Sequence, residues 1–157
     1  MRFAVDEEQR FREAVVKQWA AVFRVAQYLH SKGNCLVQVN PLRIRPSFEQ
    51  RNGYGDDADI LLQMVDSVRW WKIEVKWKQL EFIDQYPFPT VFLDRIDKSD
   101  AAEPDGYYIV NQAMSHAVQV MARTRPSWTT VTTMDTKKGY EFSCYQCPVA
   151  LTKIVVL

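Results

Sequence analysis

Glycine is scarce in this sequence: five glycines are spread over 157 residues, and proline adds only seven. Such a composition excludes a fibrous repeat and a low-complexity disordered chain, and it fits a globular protein. The few glycines build no phosphate-cradling loop of the P-loop kind, and no Gly-x-Ser-x-Gly elbow is present. No apolar run approaches the roughly 20 residues needed to cross a bilayer, so no membrane association is expected. The first residues, Met-Arg-Phe-Ala-Val-Asp-Glu-Glu, turn acidic at once and lack the apolar core of a signal peptide. Charge of one sign is also missing. Twenty basic residues stand against nineteen acidic ones, a net charge of +1, so any affinity for nucleic acid must come from local clustering.

Cysteine is limited to three residues, an odd number that cannot complete a disulfide framework and points to a reducing, cytoplasmic setting. Cys144 and Cys147 have the spacing of a half zinc site. A structural zinc needs four ligands, and Cys35, His30 and His116 supply no second paired motif. A thioredoxin-like strand–helix context is absent too, so packed thiols are expected.

What is present begins with a helix. Asp6 is placed to cap it, with Glu7 and Glu8 in the first turn and Gln9 at the capping-box position. Phe11, Val15, Trp19, Val22, Ala26 and Leu29 recur at steps of three and four, which marks one buried face. Lys32-Gly33-Asn34 supplies the stop. Period two follows, over Cys35 to Val39 and again over Leu42 to Arg45, with Pro41 and Pro46 interrupting. A polar loop spans residues 49–55. Two strands, residues 58–64 and 70–77, flank a turn at Asp66-Ser67. Residues 90–93 and 107–110 read as further strands, with a polar connection over 97–106, and residues 117–121 read as a strand or a helical turn, their alternation favouring a strand. A hairpin, residues 129–134 and 140–145, turns at Lys137-Lys138-Gly139. No repeat or linker divides the chain, so residues 1–157 are expected to form one α+β domain: a long N-terminal helix, a mixed central sheet and extra C-terminal strands.

Chemistry concentrates on the hairpin at Asp66-Ser67. With those two residues as the turn, Asp59 faces Glu74 and Asp57 faces Lys76, and opposed residues share a face with Cβ atoms about 5 Å apart. Two opposed carboxylates repel unless a cation joins them. Mg²⁺ favours one or two carboxylates, completed by water and phosphate oxygens. A neighbouring lysine can orient the attacking water, help deprotonate it, or stabilise the charge developing at phosphorus. The flanking Ile60-Leu61-Leu62, Ile73, Val75 and Trp77 put both strands near the core, where charges are costly unless paired or metal-bound. The competing structural reading is a solvated strand with a cross-strand ion pair.

The segment Gly55-Asp56-Asp57-Ala58-Asp59-Ile60-Leu61-Leu62, followed by Ile73-Glu74-Val75-Lys76, resembles the PD-(D/E)XK nuclease superfamily, whose fold is called restriction-endonuclease-like. The long helix and the strand before it match that family's α-β-β-β opening. The resemblance covers roughly the first two-thirds of the chain. It implies Asp59 and Glu74 as metal-holding catalytic acids, Lys76 as the catalytic lysine, and the Val75 carbonyl as a further metal ligand. Glu13 and Asp57 are additional candidates. It also implies Mg²⁺ or Mn²⁺ as cofactor, a phosphodiester substrate with DNA ahead of RNA, and settings such as repair, recombination, defence or phage biology. Two departures stand out. Ala58 occupies the place of the motif's proline, and residues 78–85 offer only a short candidate for the helix that follows the third strand.

Arg43, Arg45, Arg69, Lys72 and Lys78, with Arg51 nearby, are candidates for gripping phosphates, and Tyr54, Trp70, Trp71 and Trp77 for stacking on bases. The near-neutral charge calls for modest affinity, a homodimer or a protein partner. The alternative to an enzyme is a catalytically silent nuclease-like module that binds nucleic acid or a protein.

Overall fold

A computed structural model describes residues 2–42, 58–136 and 139–157, with side chains of the first helix from residue 8 onward. The chain opens with helix α1 (Arg2–Ser31), then strands β1 (Cys35–Val39), β2 (Ile60–Met64), β3 (Trp70–Trp77) and β4 (Thr90–Arg95). A short helix α2 (Ile96–Ala102) leads to β5 (Gly106–Val110) and β6 (His116–Met121). The chain continues with β7 (Thr129–Asp135), β8 (Tyr140–Pro148) and β9 (Lys153–Val156). It is an α+β fold: one N-terminal helix followed by mixed sheets of many strands.

Helix α1 starts four residues before Asp6, so Asp6 lies inside the helix and is not its cap. Arg2 to Val5 contain no proline or glycine to stop the helix, and a cap worth about 1 kcal/mol does not outweigh further helical turns. The C-terminal stop is as expected. Gly33 (φ 72°) and Asn34 (φ 56°) both take left-handed backbone, and the Gly33 amide donates to the His30 carbonyl at 3.1 Å.

Two sheets form. The larger runs in the order β1-β2-β3-β5-β6-β9 and is antiparallel except where β5 lies parallel to β3; the smaller is β4-β8-β7. Helix α1 covers one face of the larger sheet, packing Val22, Val25 and Leu29 against Ile60, Ile73, Val75 and Tyr108. The smaller sheet covers part of the other face, where Val91, Leu93 and Cys147 meet Tyr107, Ile109, Val118 and Val120. Strand alternation sends neighbouring residues of β5 to opposite layers, which is why all five are buried. Among the described residues, no helix is long and apolar enough to span a membrane.

Residues 78–89 hold no helix, contrary to the short one expected over 78–85. This segment is held extended: the Gln112 amide donates to the Leu80 carbonyl at 3.0 Å and Asn111 Nδ2 to the Phe82 carbonyl at 3.0 Å. Pro87 and Pro89 keep the following residues out of helix. The β2–β3 connection is also longer than two residues, running from Val65 to Arg69. The stretch between Gln63 and Trp70 left unpaired in this hairpin, residues 64–69, is centred between residues 66 and 67, so the expected register survives, with Ile60 opposite Ile73 and Gln63 opposite Trp70.

Candidate functional site

Backbone pairing of β2 with β3 ends at Ile60 and Ile73, yet β3 runs on to Trp77. The edge exposed there must find other partners, because unpaired buried amides and carbonyls are costly. Two side chains supply them. Asp59 Oδ2 accepts from the Val75 amide at 2.8 Å. Gln18, from α1, donates Nε2 to the Val75 carbonyl at 2.5 Å and accepts from the Trp77 amide at 2.9 Å through Oε1. Gln18 thus hydrogen-bonds to β3 as a neighbouring strand would. Asp59 itself is anchored by its own carbonyl, which accepts from the Asn40 amide at 3.0 Å. The preceding Ala58 is buried at a φ of 28°, with its carbonyl accepting from Asn40 Nδ2 at 2.7 Å. Proline is locked near −65° and cannot take that backbone, so local geometry excludes it at this position.

Glu74 is 4 % exposed, a buried carboxylate on the face of β3 away from α1. Lys76 Nζ stands 4.0 Å from Glu74 Oε2 and 2.8 Å from Asp94 Oδ2. Burial by itself pushes the Lys76 ammonium toward neutrality, but Asp94, Glu74 and Asp59 together outweigh that and hold its pKa above the ordinary lysine range. Lys76 is therefore a fixed cation at neutral pH. In this arrangement its ammonium can orient a phosphate or a water.

Asp94 is the acid that pattern-reading of the sequence misses. Between Phe92 and Arg95 the pairing of β4 with β8 slips, so three steps on β4 match two on β8. This is a β-bulge, which re-aims a side chain that simple alternation would send elsewhere. Asp94 has a faint signal in the sequence, an acid closing the apolar run Val91-Phe92-Leu93. Gln18 has a clearer one: it falls on the buried stripe Val15, Gln18, Val22, Val25, Leu29, where a polar side chain needs a partner.

The remaining candidates divide. Asp57, Arg43 and Arg45, with Arg51 and Tyr54, lie outside the described residues. Glu13 is exposed on α1 and accepts from Gln9 Nε2 at 3.1 Å; Gln18 is the α1 side chain that hydrogen-bonds to the β3 backbone among the described residues. Arg69 stacks 4.1 Å from the Trp71 ring and pairs with Asp105 at 2.5 Å, while Lys72 Nζ donates to the Ala102 carbonyl at 3.1 Å. Both sit at the start of β3 and pin the β5 entry. Lys78 is half-buried two residues beyond Lys76, on the same face. Burial, and then the Lys76 charge, lower its pKa. Trp70 is exposed, whereas Trp77 packs against the α1 core.

Cys144 and Cys147 are both buried free thiols whose pKa values burial raises. Three residues apart on one strand, they point to opposite faces and cannot converge on one ion. His116 opens β6 beside a turn, its Nδ1 2.8 Å from Ser115 Oγ and its amide donating to Asn111 Oδ1.

Asp59, Glu74 and Asp94 surround the Lys76 ammonium without meeting at one point. Among the described residues, no three His, Cys, Asp or Glu side chains gather closely enough to share a metal ion. The Val75 carbonyl accepts from Gln18 Nε2, and Asp59 Oδ2 accepts from the Val75 amide. Comparison with known proteins yields no match to a family model, a curated protein or a solved structure.

Proposed function

We propose that this chain is a divalent-metal-dependent nuclease built on the PD-(D/E)XK plan, hydrolysing phosphodiester bonds, with DNA the first substrate to test. The observation that carries the reading is the cluster around Lys76: its partly buried ammonium lies 2.8 Å from Asp94 Oδ2 and 4.0 Å from Glu74 Oε2, with Asp59 adding further negative charge. Acids that outnumber the cation they surround, on a strand next to the core, are costly without further positive charge. A divalent cation answers that need. The order α1-β1-β2-β3, followed by a parallel crossover to β5, agrees with the same plan.

Asp59 and Glu74 would hold Mg²⁺ or Mn²⁺, with the Val75 carbonyl beside them. A cation bound there supplies Lewis-acid stabilisation of the charge that develops on the phosphoryl oxygens. Lys76, kept charged by Asp94, positions the scissile phosphate and the attacking water. Gln18 holds the backbone of the acid-x-lysine unit in place at Val75 and Trp77.

The test is cleavage of supercoiled, linear, single-stranded and branched DNA and structured RNA, in Mg²⁺, Mn²⁺ or EDTA, with Glu74→Ala purified in parallel. Metal-dependent cutting that Glu74→Ala abolishes is the expected result. Nucleic-acid binding with no cutting under any metal would overturn it in favour of a silent binding module.

A further inference from the structure

Past Lys76, the charged face of β3 continues to Lys78 and there becomes one wall of a pocket of about 290 Å³. The smaller sheet makes the other walls, with Phe92, Asp94 and Arg95 on β4 and Phe142 on β8. The pocket thus opens directly beside the proposed site, sharing Lys76 and Asp94 with it.

Its cations are not equivalent. Lys76 is paired with Asp94, and Arg95 is clamped by Asp97 through Nε at 3.0 Å and Nη2 at 2.8 Å. Lys78 has no ion-pair partner among the described residues. Lys78, half-buried and outside any ion pair among the described residues, lines the cavity, where its ammonium can receive an anion. The aromatic walls add a second requirement. Phe92 is 43 % exposed, and Phe142 is held with the Arg95 guanidinium 5.9 Å from its ring centre. An anionic group joined to a flat, apolar-faced ring satisfies both walls at once. The volume lies just below the roughly 300–1,000 Å³ typical of ligand pockets and is enough for a single base.

We propose that the pocket binds one unstacked nucleotide next to the scissile phosphate, with Lys78 on its phosphate and Phe92 and Phe142 against its base. This rests on the nuclease reading for the position of the cut and deepens it by naming the substrate class. A nucleotide enters only when freed from its pair, so the enzyme acts on single strands, frayed ends or flaps ahead of intact duplex.

Binding in EDTA tests the pocket apart from catalysis. Fluorescence anisotropy would measure a labelled single-stranded oligonucleotide, DNA or RNA, and a blunt duplex of the same sequence. Wild type should prefer the single strands. Lys78→Gln should weaken single-strand binding roughly tenfold and reduce the salt slope by about one. Phe142→Ala should weaken it to a similar degree, about the worth of one stacked base, with the salt slope unchanged. Retained binding by Lys78→Arg, with thermal midpoints near wild type, separates these losses from misfolding. Single-strand affinity unaffected by both substitutions, or duplex bound as tightly as single strand, would overturn the proposal. Single-strand binding that depends on Lys78, in a protein that cuts nothing with Mg²⁺, would retain the pocket and refute the nuclease reading.

Discussion

The Asp94 carboxylate lies 2.8 Å from Lys76 Nζ, closer than Glu74, the acid two residues from Lys76 in sequence. The bulge in β4 makes this contact, and the smaller sheet thereby sets the position of a charge carried by the larger one. Asp94→Asn keeps the shape and removes the charge. It should cost about 1.5–3 kcal/mol of stability, the worth of a hydrogen bond to a charged group. Metal-dependent cleavage should fall roughly 10–100-fold through a misplaced Lys76. Lys76→Ala should remove cleavage altogether while metal-induced stabilisation persists. Wild-type turnover in either variant would remove these residues from the mechanism.

Gln18 is expected to matter for both stability and activity. Gln18→Ala strands a buried carbonyl and a buried amide on β3, a loss of about 1–3 kcal/mol. For a chain of this size that lowers the thermal midpoint by roughly 2–4 °C per kcal/mol. Calorimetry and a cleavage assay on the same preparation should move together. A drop in midpoint with full activity would show that the helix anchors the strand without positioning the site.

Lys78 gives a pH signature with a definite sign. Its folded pKa is lowered, chiefly by burial, so between that value and the unfolded one, about 10.4, the unfolded chain binds more protons. Its contribution to stability therefore rises with pH across that window. Lys76, with a raised pKa, loses its contribution only as pH rises above the unfolded value. Buried cysteines and tyrosines push the other way above about pH 8.5, but equally in variants that keep them. Lys78→Met should therefore be more stable than wild type at neutral pH, with the gap closing towards pH 10. A gap that is constant from pH 7 to 10 would contradict the depressed pKa.

A proline at position 58 should do harm. Ala58→Pro demands a φ near −65° where the backbone stands at 28°. The substitution should destabilise the fold by more than about 1 kcal/mol and displace Asp59 from the Val75 amide. Urea titration and cleavage would read the two effects. A stable, fully active Ala58→Pro protein would mean that the Asp59 geometry does not depend on this turn.

Much of this organisation is local, and so it is legible in the sequence. The stripe from Val15 to Leu29 specifies a helix because 3.6-residue periodicity is a property of one element. The β2–β3 register follows because a symmetric connection preserves the pairing whatever its length, and that pairing brings Asp59 to the Glu74–Lys76 stretch. The alternation of β7 and β8 marks their hairpin for the same reason. Long-range packing decided the rest. Residues 78–85 carry no strong helical pattern, and hydrogen bonds from residues 111 and 112 hold them extended. Asp94 reaches Lys76 because a bulge breaks the period of two, and a bulge is fixed by the partner strand β8, fifty residues on. Gln18 finds β3 only once α1 lies across the sheet, 57 residues away along the chain. Periodicity determines which face an element buries; which charges then meet across two layers depends on how those layers stack.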